Sequence, residues 1–314
     1  MKLEIIDNVA IIGTGMIGAS MAVLFTGNGY KTTVYAIDDV EAAKGRAIYD
    51  TYYRDLIENK LVNAAQAAKC ANLVKFTQKF EDVALADFIF ECVVERLDIK
   101  HSVYKQVERH CKKFKAIASS TSAITVDDLA EGLLQKDKLS VAHPYNPPHL
   151  VPCVEVLKGT HTSDEAVGLV VDVLESLGRE VIQMKKGAPG FVANRLQHAL
   201  FREAVYMVEQ GIAAPADIDR TLRSSFIPRY TQIGLFEHFD YAGLDMITSI
   251  GDYLFPTLCN ADKTQEYIRS RVKSGNLGFK TGTGVYDWSK IDGADFRKRA
   301  SRPYLQFFNW SVPD

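Results

Sequence analysis

The sequence predicts an α/β fold in which a mostly parallel sheet, wound with helices, is followed by an all-helical region. Three observations lead there. Short β-branched runs alternate with longer helical patterns up to about residue 186, the runs are apolar throughout rather than on one face, and strand signals stop after "KKGAPGF". Strands apolar on both faces and separated by helices imply a sheet covered on both sides.

Taken in order, the expected strands are Val9 to Ile12, Thr32 to Ile37, Phe88 to Val94, Ala116 to Ser119, Leu139 to His143, Pro152 to Leu157 and Glu180 to Met184. Helices between them have start signals: Thr125 with Asp128 and Thr162 with Glu165 each fit a capping box or its acidic variant. From Val192, apolar residues recur at Leu196, Leu200, Ala204 and Val208, which predicts a helix from Phe191 to Gln210 with one buried stripe. Pro215 then suits the first turn of another helix, "APADIDRTLRSSF". The expected division is a sheet domain over residues 1–186 and a helical domain over residues 187–314.

Composition narrows the function classes. With 314 residues and 47% hydrophobic content, the chain can bury at least one large core, and its length favours two domains. A net charge of −2, with cations dispersed among acids, offers neither a basic stripe for nucleic acid nor a polybasic membrane anchor. The start, "MKLEIIDNVAIIG", has no long apolar stretch before a small-residue cleavage site, so a cytoplasmic location is expected. Five cysteines, none in a CxxC pair, suggest neither a disulfide framework nor a zinc site. The histidines outside position 143 show no metal-ligand spacing, and no metal is expected.

The segment "NVAIIGTGMIGASMAVLFTGNGYKTTVYAID" places a GxGxxG directly after a buried strand and at the mouth of a helix, with a second strand following. That context turns a weak motif into the fingerprint of a Rossmann-like, doubly wound dinucleotide-binding unit. Gly13 would permit the tight turn, Gly15 would let backbone approach a pyrophosphate, and Gly18 would let helix and sheet pack closely. Met16 and Ile17 lie in the helix's first turn, where free amides and the dipole attract phosphate. At the end of the second strand, "YAIDD" has Ala36 at one position for the ribose-binding acid, with Asp38 shortly after. Asp38 is the candidate ribose ligand, and two carboxylates with no cation immediately behind favour NAD over NADP.

Residues 141–156, "VAHPYNPPHLVPCVEV", set a lone histidine, His143, at a strand end and Glu155 within the next strand. Alone, such a histidine is usually structural. Together with "ASSTSAIT", "KGAPGFVANRLQHALFREAVYMVEQGI", "IGLFEHFDYAGLD" and "GFKTGTGVYDW", however, the segment resembles the 3-hydroxyacyl-CoA dehydrogenase family over nearly the whole chain and in the family's order. "SSTS", "HPYNPP" and "VANRLQHAL" are most similar to the branch holding λ-crystallin, L-gulonate 3-dehydrogenase and carnitine dehydrogenase.

The resemblance implies His143 as base, Glu155 as its partner, Ser122 and Asn194 as hydrogen-bond donors to the reacting oxygen, and Glu95 and Lys100 beside the cofactor. It implies an active site between the two domains and pairing of copies into a homodimer through the helical one. CoA-using members commonly read "SNTS" where this chain has Ser120, so any contact of that asparagine is missing. The chemistry independently asks for these residue types. Oxidising a secondary alcohol removes the hydroxyl proton as hydride leaves the same carbon, and an imidazole titrating near neutrality suits that task. A carboxylate on the other ring nitrogen would fix the tautomer and stabilise the imidazolium.

The expected activity is therefore an NAD-dependent dehydrogenation of a small L-3-hydroxy acid resembling L-gulonate, with Arg195, Arg223 or Arg229 meeting its carboxylate. The alternatives are a short-chain 3-hydroxyacyl-CoA dehydrogenase, suggested by the tail "GFKTGTGVYDW", and a non-catalytic crystallin-like NAD-binding protein. The balanced charge of "YYRDLIENKLVN" weighs against CoA phosphates.

Overall fold

Eight strands lie in one sheet, whose central members are apolar on both faces and need cover on both. The computed structural model describes residues 3–308. Its strands are β1 (Asn8–Ile12), β2 (Lys31–Tyr35), β3 (Val74–Thr77), β4 (Phe88–Glu91), β5 (Ala116–Ser119), β6 (Leu139–Pro144), β7 (Cys153–Lys158) and β8 (Glu180–Gln183). They are ordered β3-β2-β1-β4-β5-β6-β7-β8. All neighbouring pairs are parallel except β6 and β7, which run antiparallel with His143 opposite Glu155. The central strands β4, β5 and β6 are buried at every residue.

Interleaved with the strands are α1 (Met16–Gly27), α2 (Asp39–Glu58), α3 (Ala64–Ala71), α4 (Leu97–His110), α5 (Val126–Ala130) and α6 (Asp164–Ser176). The helix α1 is buried from Gly18 to Gly27, which explains its lack of a polar face. One core cluster includes Phe25, Tyr30, Phe88 and Leu174, and another includes Tyr104, Phe114, Ile117 and Leu139. Each wholly buried aromatic in these layers contributes roughly 2–3 kcal/mol by transfer from water.

The expected doubly wound sheet followed by helices is the observed architecture. Two local expectations need correction. β3 was not foreseen because "VKFT" is short, half-buried and interrupted by exposed Lys75, as suits a sheet edge. The cap of α6 is Ser163, which accepts from the Ala166 amide. Thr162 instead donates to the Leu139 carbonyl at 2.5 Å and accepts from the Gly159 amide at 2.9 Å. By contrast, Thr125 does cap α5, accepting from the Asp128 amide.

The chain separates into two compact units, one reaching Val192 and the other spanning Ala193–Ala300. Residues 301–308 return to the sheet unit, because Tyr304, Leu305 and Phe308 pack on its core cluster. Among the described residues, 187–192 and 301–308, expected in the helical region, thus group with the first unit. The second unit holds α7 (Ala193–Glu209), α8 (Pro215–Ser224), α9 (Leu235–Ala242), α10 (Leu244–Leu254), α11 (Glu266–Lys273) and most of α12 (Gly293–Ser301). Pro215 occupies the first position of α8. The stripe expected to be buried along α7 is not: Leu196 is 58% and Leu200 38% exposed, and the helix buries Val205 instead. Among the described residues, no helix is long and apolar enough to cross a membrane.

Candidate active site

The strand order reverses between β1 and β4, since β2 and β3 lie to one side of β1 and β4 to β8 to the other. Ligands of doubly wound sheets gather in the crevice at that reversal, outside the carboxyl ends of the strands. The turn that follows β1 contains Gly13, held at φ +117°, where a Cβ would lie 2.5 Å from the Cys92 carbonyl oxygen. A Cβ on Gly18 would come within 2.1 Å of the Gly13 carbonyl, so helix and turn approach as closely as backbone permits. At Gly15 a Cβ would meet nothing within 4 Å. The first turn of α1 has neither a side-chain cap nor an acidic residue. Gly15, Met16 and Ile17 therefore present uncapped amides at an exposed turn, while buried Gly18 seats the helix against it, a cradle that fits the diphosphate of a dinucleotide. Asp38 lies beyond the end of β2 and caps α2, accepting from the Glu41 amide at 2.8 Å, and Ala36 is buried.

Next to β1, β4 ends in Glu91, a carboxylate with no exposed surface. It accepts from the Val93 amide at 2.8 Å, Lys100 Nζ at 2.8 Å, the Tyr104 hydroxyl at 2.8 Å and Ser119 Oγ at 2.6 Å. Four donors offset the cost of burying its charge. Lys100 is equally enclosed, its ammonium also 3.4 Å from Glu95. The Lys100 ammonium is thus held between the carboxylates of Glu91 and Glu95. Glu95 Oε1 in turn accepts from Thr121 Oγ1 at 2.5 Å and from the amides of Ser122 at 3.0 Å and Ala123 at 3.1 Å. Burial pushes the Glu95 carboxyl up, but the Thr121 hydroxyl, the Lys100 charge and those two amides outweigh it and hold it below the usual range.

Ser122 follows β5, and its side chain is exposed. Parallel pairing sets Ser119 beside Val141, so Ser122 and His143 lie three and two residues beyond one rung of the same ladder. His143 Nδ1 is 3.1 Å from Glu155 Oε2, and both residues are buried. Tyr145 donates its hydroxyl to the same Oε2 at 2.7 Å, and the Val192 amide donates to Oε1 at 2.8 Å. The imidazole is flanked by the rings of Tyr145 and Phe191, with centroids 5.0 and 5.2 Å away. Asn194 sits in the first turn of α7, in the helical unit.

Of the expected residues, the structure thus joins His143 to Glu155 and links Lys100, Glu95 and the Ser122 amide in one chain. Sequence reasoning missed Glu91, Tyr145 and Val192. An acid closing the apolar run "FIFE" was the available signal for Glu91, and the tyrosine inside "HPYNPP" was the signal for Tyr145. Val192 contributes only its backbone, which no side-chain motif reveals.

This arrangement, a phosphate cradle at the reversal of a doubly wound sheet with a histidine–carboxylate pair at a nearby strand end, defines a dinucleotide-dependent oxidoreductase. The family models for 3-hydroxyacyl-CoA dehydrogenase match the chain along most of its length, the NAD binding domain over residues 8–187 and the C-terminal domain over residues 190–288. The chain belongs to the 3-hydroxyacyl-CoA dehydrogenase family and is an NAD-dependent dehydrogenase. It is 37% identical over 240 residues to L-carnitine dehydrogenase of Oceanobacillus iheyensis, covering 75% of this chain and 76% of that one. It is 30% identical over 282 residues to 5-formyl-3-hydroxy-2-methylpyridine 4-carboxylate 5-dehydrogenase of Mesorhizobium japonicum, covering 90% of each. A crystal structure described as that dehydrogenase, an NAD+ dependent dismutase, is similar at a TM-score of 0.86 and 28% identity, covering 96% of this chain and 97% of the other.

Proposed function

We propose that the chain oxidises the 3-hydroxyl of a small free L-3-hydroxy acid, such as L-gulonate or L-carnitine, to the 3-keto acid. The observation that carries this reading is the His143–Glu155 pair, 3.1 Å apart at the carboxyl end of β6. With Glu155 ionised, Nδ1 of His143 holds its proton toward the carboxylate, and Nε2 is left to take the proton of the substrate hydroxyl. Bound NAD supplies the acceptor for the hydride that leaves the same carbon. Glu155 stabilises the imidazolium that forms. Ser122 and, in this reading, Asn194 donate hydrogen bonds to the oxygen as it becomes a carbonyl, and Glu95 and Asp38 face the cofactor.

A free acid is favoured over a CoA thioester by the charge on α2. Two of its three cations, Lys44 and Arg46, are paired with Glu41 and Asp50, and Arg54 is followed directly by Asp55, which leaves a weak welcome for CoA phosphates. Both relatives named above act on free acids by their names. Arg229, whose guanidinium lies 3.0 Å from His238 Nε2, and Arg223 and Arg195 are the cations proposed to meet the substrate carboxylate. NADH formation on a panel of L-gulonate, L-carnitine and 3-hydroxybutyryl-CoA tests the reading. Turnover of the thioester alone would replace it, and NAD binding without turnover of any would leave a cofactor-holding protein.

The helical unit exposes Phe236 at 86%, Tyr241 at 94%, Tyr253 at 79% and Phe255 at 72%. Apolar surface on this scale fits the association of two copies into a homodimer. Sedimentation equilibrium should return twice the 35.0 kDa chain mass; a single-chain mass would overturn it.

A further inference from the structure

We propose that Tyr145 is a positioning residue for the base, its hydroxyl sharing the Glu155 oxygen that holds His143 and so setting the pH at which His143 becomes competent. Its kinetic consequence rests on the function proposed above; its structural basis does not. Glu155 Oε2 accepts from the Tyr145 phenol at 2.7 Å, which is closer than His143 Nδ1 at 3.1 Å. Oε1 is bonded to the Val192 amide at 2.8 Å, and β7 sets Glu155 opposite His143, so the carboxylate is held from its strand and from both oxygens. The Tyr145 ring stands edge-on to the imidazole at 75°. The same side chain thus touches both members of the pair.

A hydrogen bond to a carboxylate draws charge from it, and the shorter donor draws more. The phenol makes this demand whether His143 is neutral or protonated. It thereby weakens what Oε2 offers an imidazolium. Without the hydroxyl, Oε2 offers more charge to His143, the imidazolium is held more tightly, and the neutral base appears only at higher pH. A base that must accept a proton and then release it gains from that moderation.

Ionisable neighbours of the pair include Cys153 on β7 and Glu180 on β8. The Cys153 thiol is pushed up to about 11 by burial, then by Glu155 and Glu180, and stays uncharged across the working range. Glu180 begins β8, and exposed Lys185 and Lys186 follow it. Phe191 adds only apolar surface.

The test is Tyr145→Phe, which keeps the ring and removes the hydroxyl. The acid limb of kcat/KM against pH should move upward by about half to one pH unit, with the KM for NAD unchanged. The ring-proton NMR titration of His143 in cofactor-free protein should move the same way, a readout independent of turnover. In a Glu155→Gln background the effect of Tyr145→Phe should vanish. A fluorotyrosine placed at position 145, a stronger donor of nearly the same shape, should shift the titration downward, and it serves if Tyr145→Phe does not fold. An unmoved or oppositely moved titration overturns the proposal. The expected titration in a protein inactive on every hydroxy acid would uphold the Tyr145 coupling and remove the proposed function instead.

Discussion

Lys100 and Glu91 form a salt bridge of 2.8 Å in which neither side chain has any exposed surface. Removing one partner of such a pair leaves a buried charge, which typically costs about 3–5 kcal/mol. Lys100→Met should therefore lower the urea-unfolding free energy by about that amount. Adding Glu91→Gln should recover a large part, because the orphaned charge disappears with it. A Lys100→Met variant as stable as the parent would show that the ion pair does not hold β4 to α4.

His143→Ala should retain NAD affinity and lose turnover by about 10²–10⁴-fold, the usual worth of a positioned general base. Fluorescence titration with NADH measures the first and steady-state kinetics the second. Wild-type turnover in the variant would remove His143 from the base role.

Gly18→Ala should weaken dinucleotide binding and stability together. The new methyl would lie 2.1 Å from the Gly13 carbonyl oxygen, so α1 must shift away from the turn that forms the cradle. A cost of about 1–3 kcal/mol in unfolding is expected for such overpacking. Gly15→Ala, whose Cβ meets nothing within 4 Å, should leave stability nearly unchanged and disturb only the bound ligand. Calorimetric titration with NADH beside thermal unfolding separates the two.

His149 gives a pH dependence of stability. Burial, with the nearby Arg179 charge adding to it, lowers this imidazole from 6.5 to about 3. Ser20 Oγ accepts from the His149 amide at 3.0 Å and lies 2.7 Å from Nδ1, an arrangement that suits a neutral ring. As pH falls from 6.5 toward 3 the unfolded chain takes up a proton that the folded chain refuses. The stability contributed by the neutral ring is complete above pH 6.5 and is lost through that window, at up to about 1.4 kcal/mol per pH unit. His149→Gln should flatten unfolding free energy against pH between 6.5 and 4; an unaltered slope would assign the acid sensitivity elsewhere.

The sheet was legible because burial on both faces writes itself as unbroken apolar runs, and β4, β5 and β6 are such runs. β3 escaped because an edge strand needs no such composition. The α6 cap was displaced by one residue because Thr162 and Ser163 are both competent caps, and the Leu139 carbonyl claimed the first. In the site, His143 and Glu155 could be paired through the family resemblance, and they lie opposite each other on neighbouring strands, whereas the enclosure of Lys100 depends on Glu91 of a different element. Long-range partners of that kind leave no spacing in the chain. The α7 stripe misled for a further reason: periodicity identifies an apolar face but not what covers it.

The two oxygens of Glu155 have different duties. One faces the imidazole, and the other tethers the Val192 amide, the last residue of the sheet unit before α7 begins. A substitution here is thus mechanical as well as chemical. Gln can still present an oxygen to that amide, while Ala slackens the chain where it departs for the helices. The gap between the two variants in local hydrogen exchange around Val192 measures the tether, and the loss they have in common measures the charge.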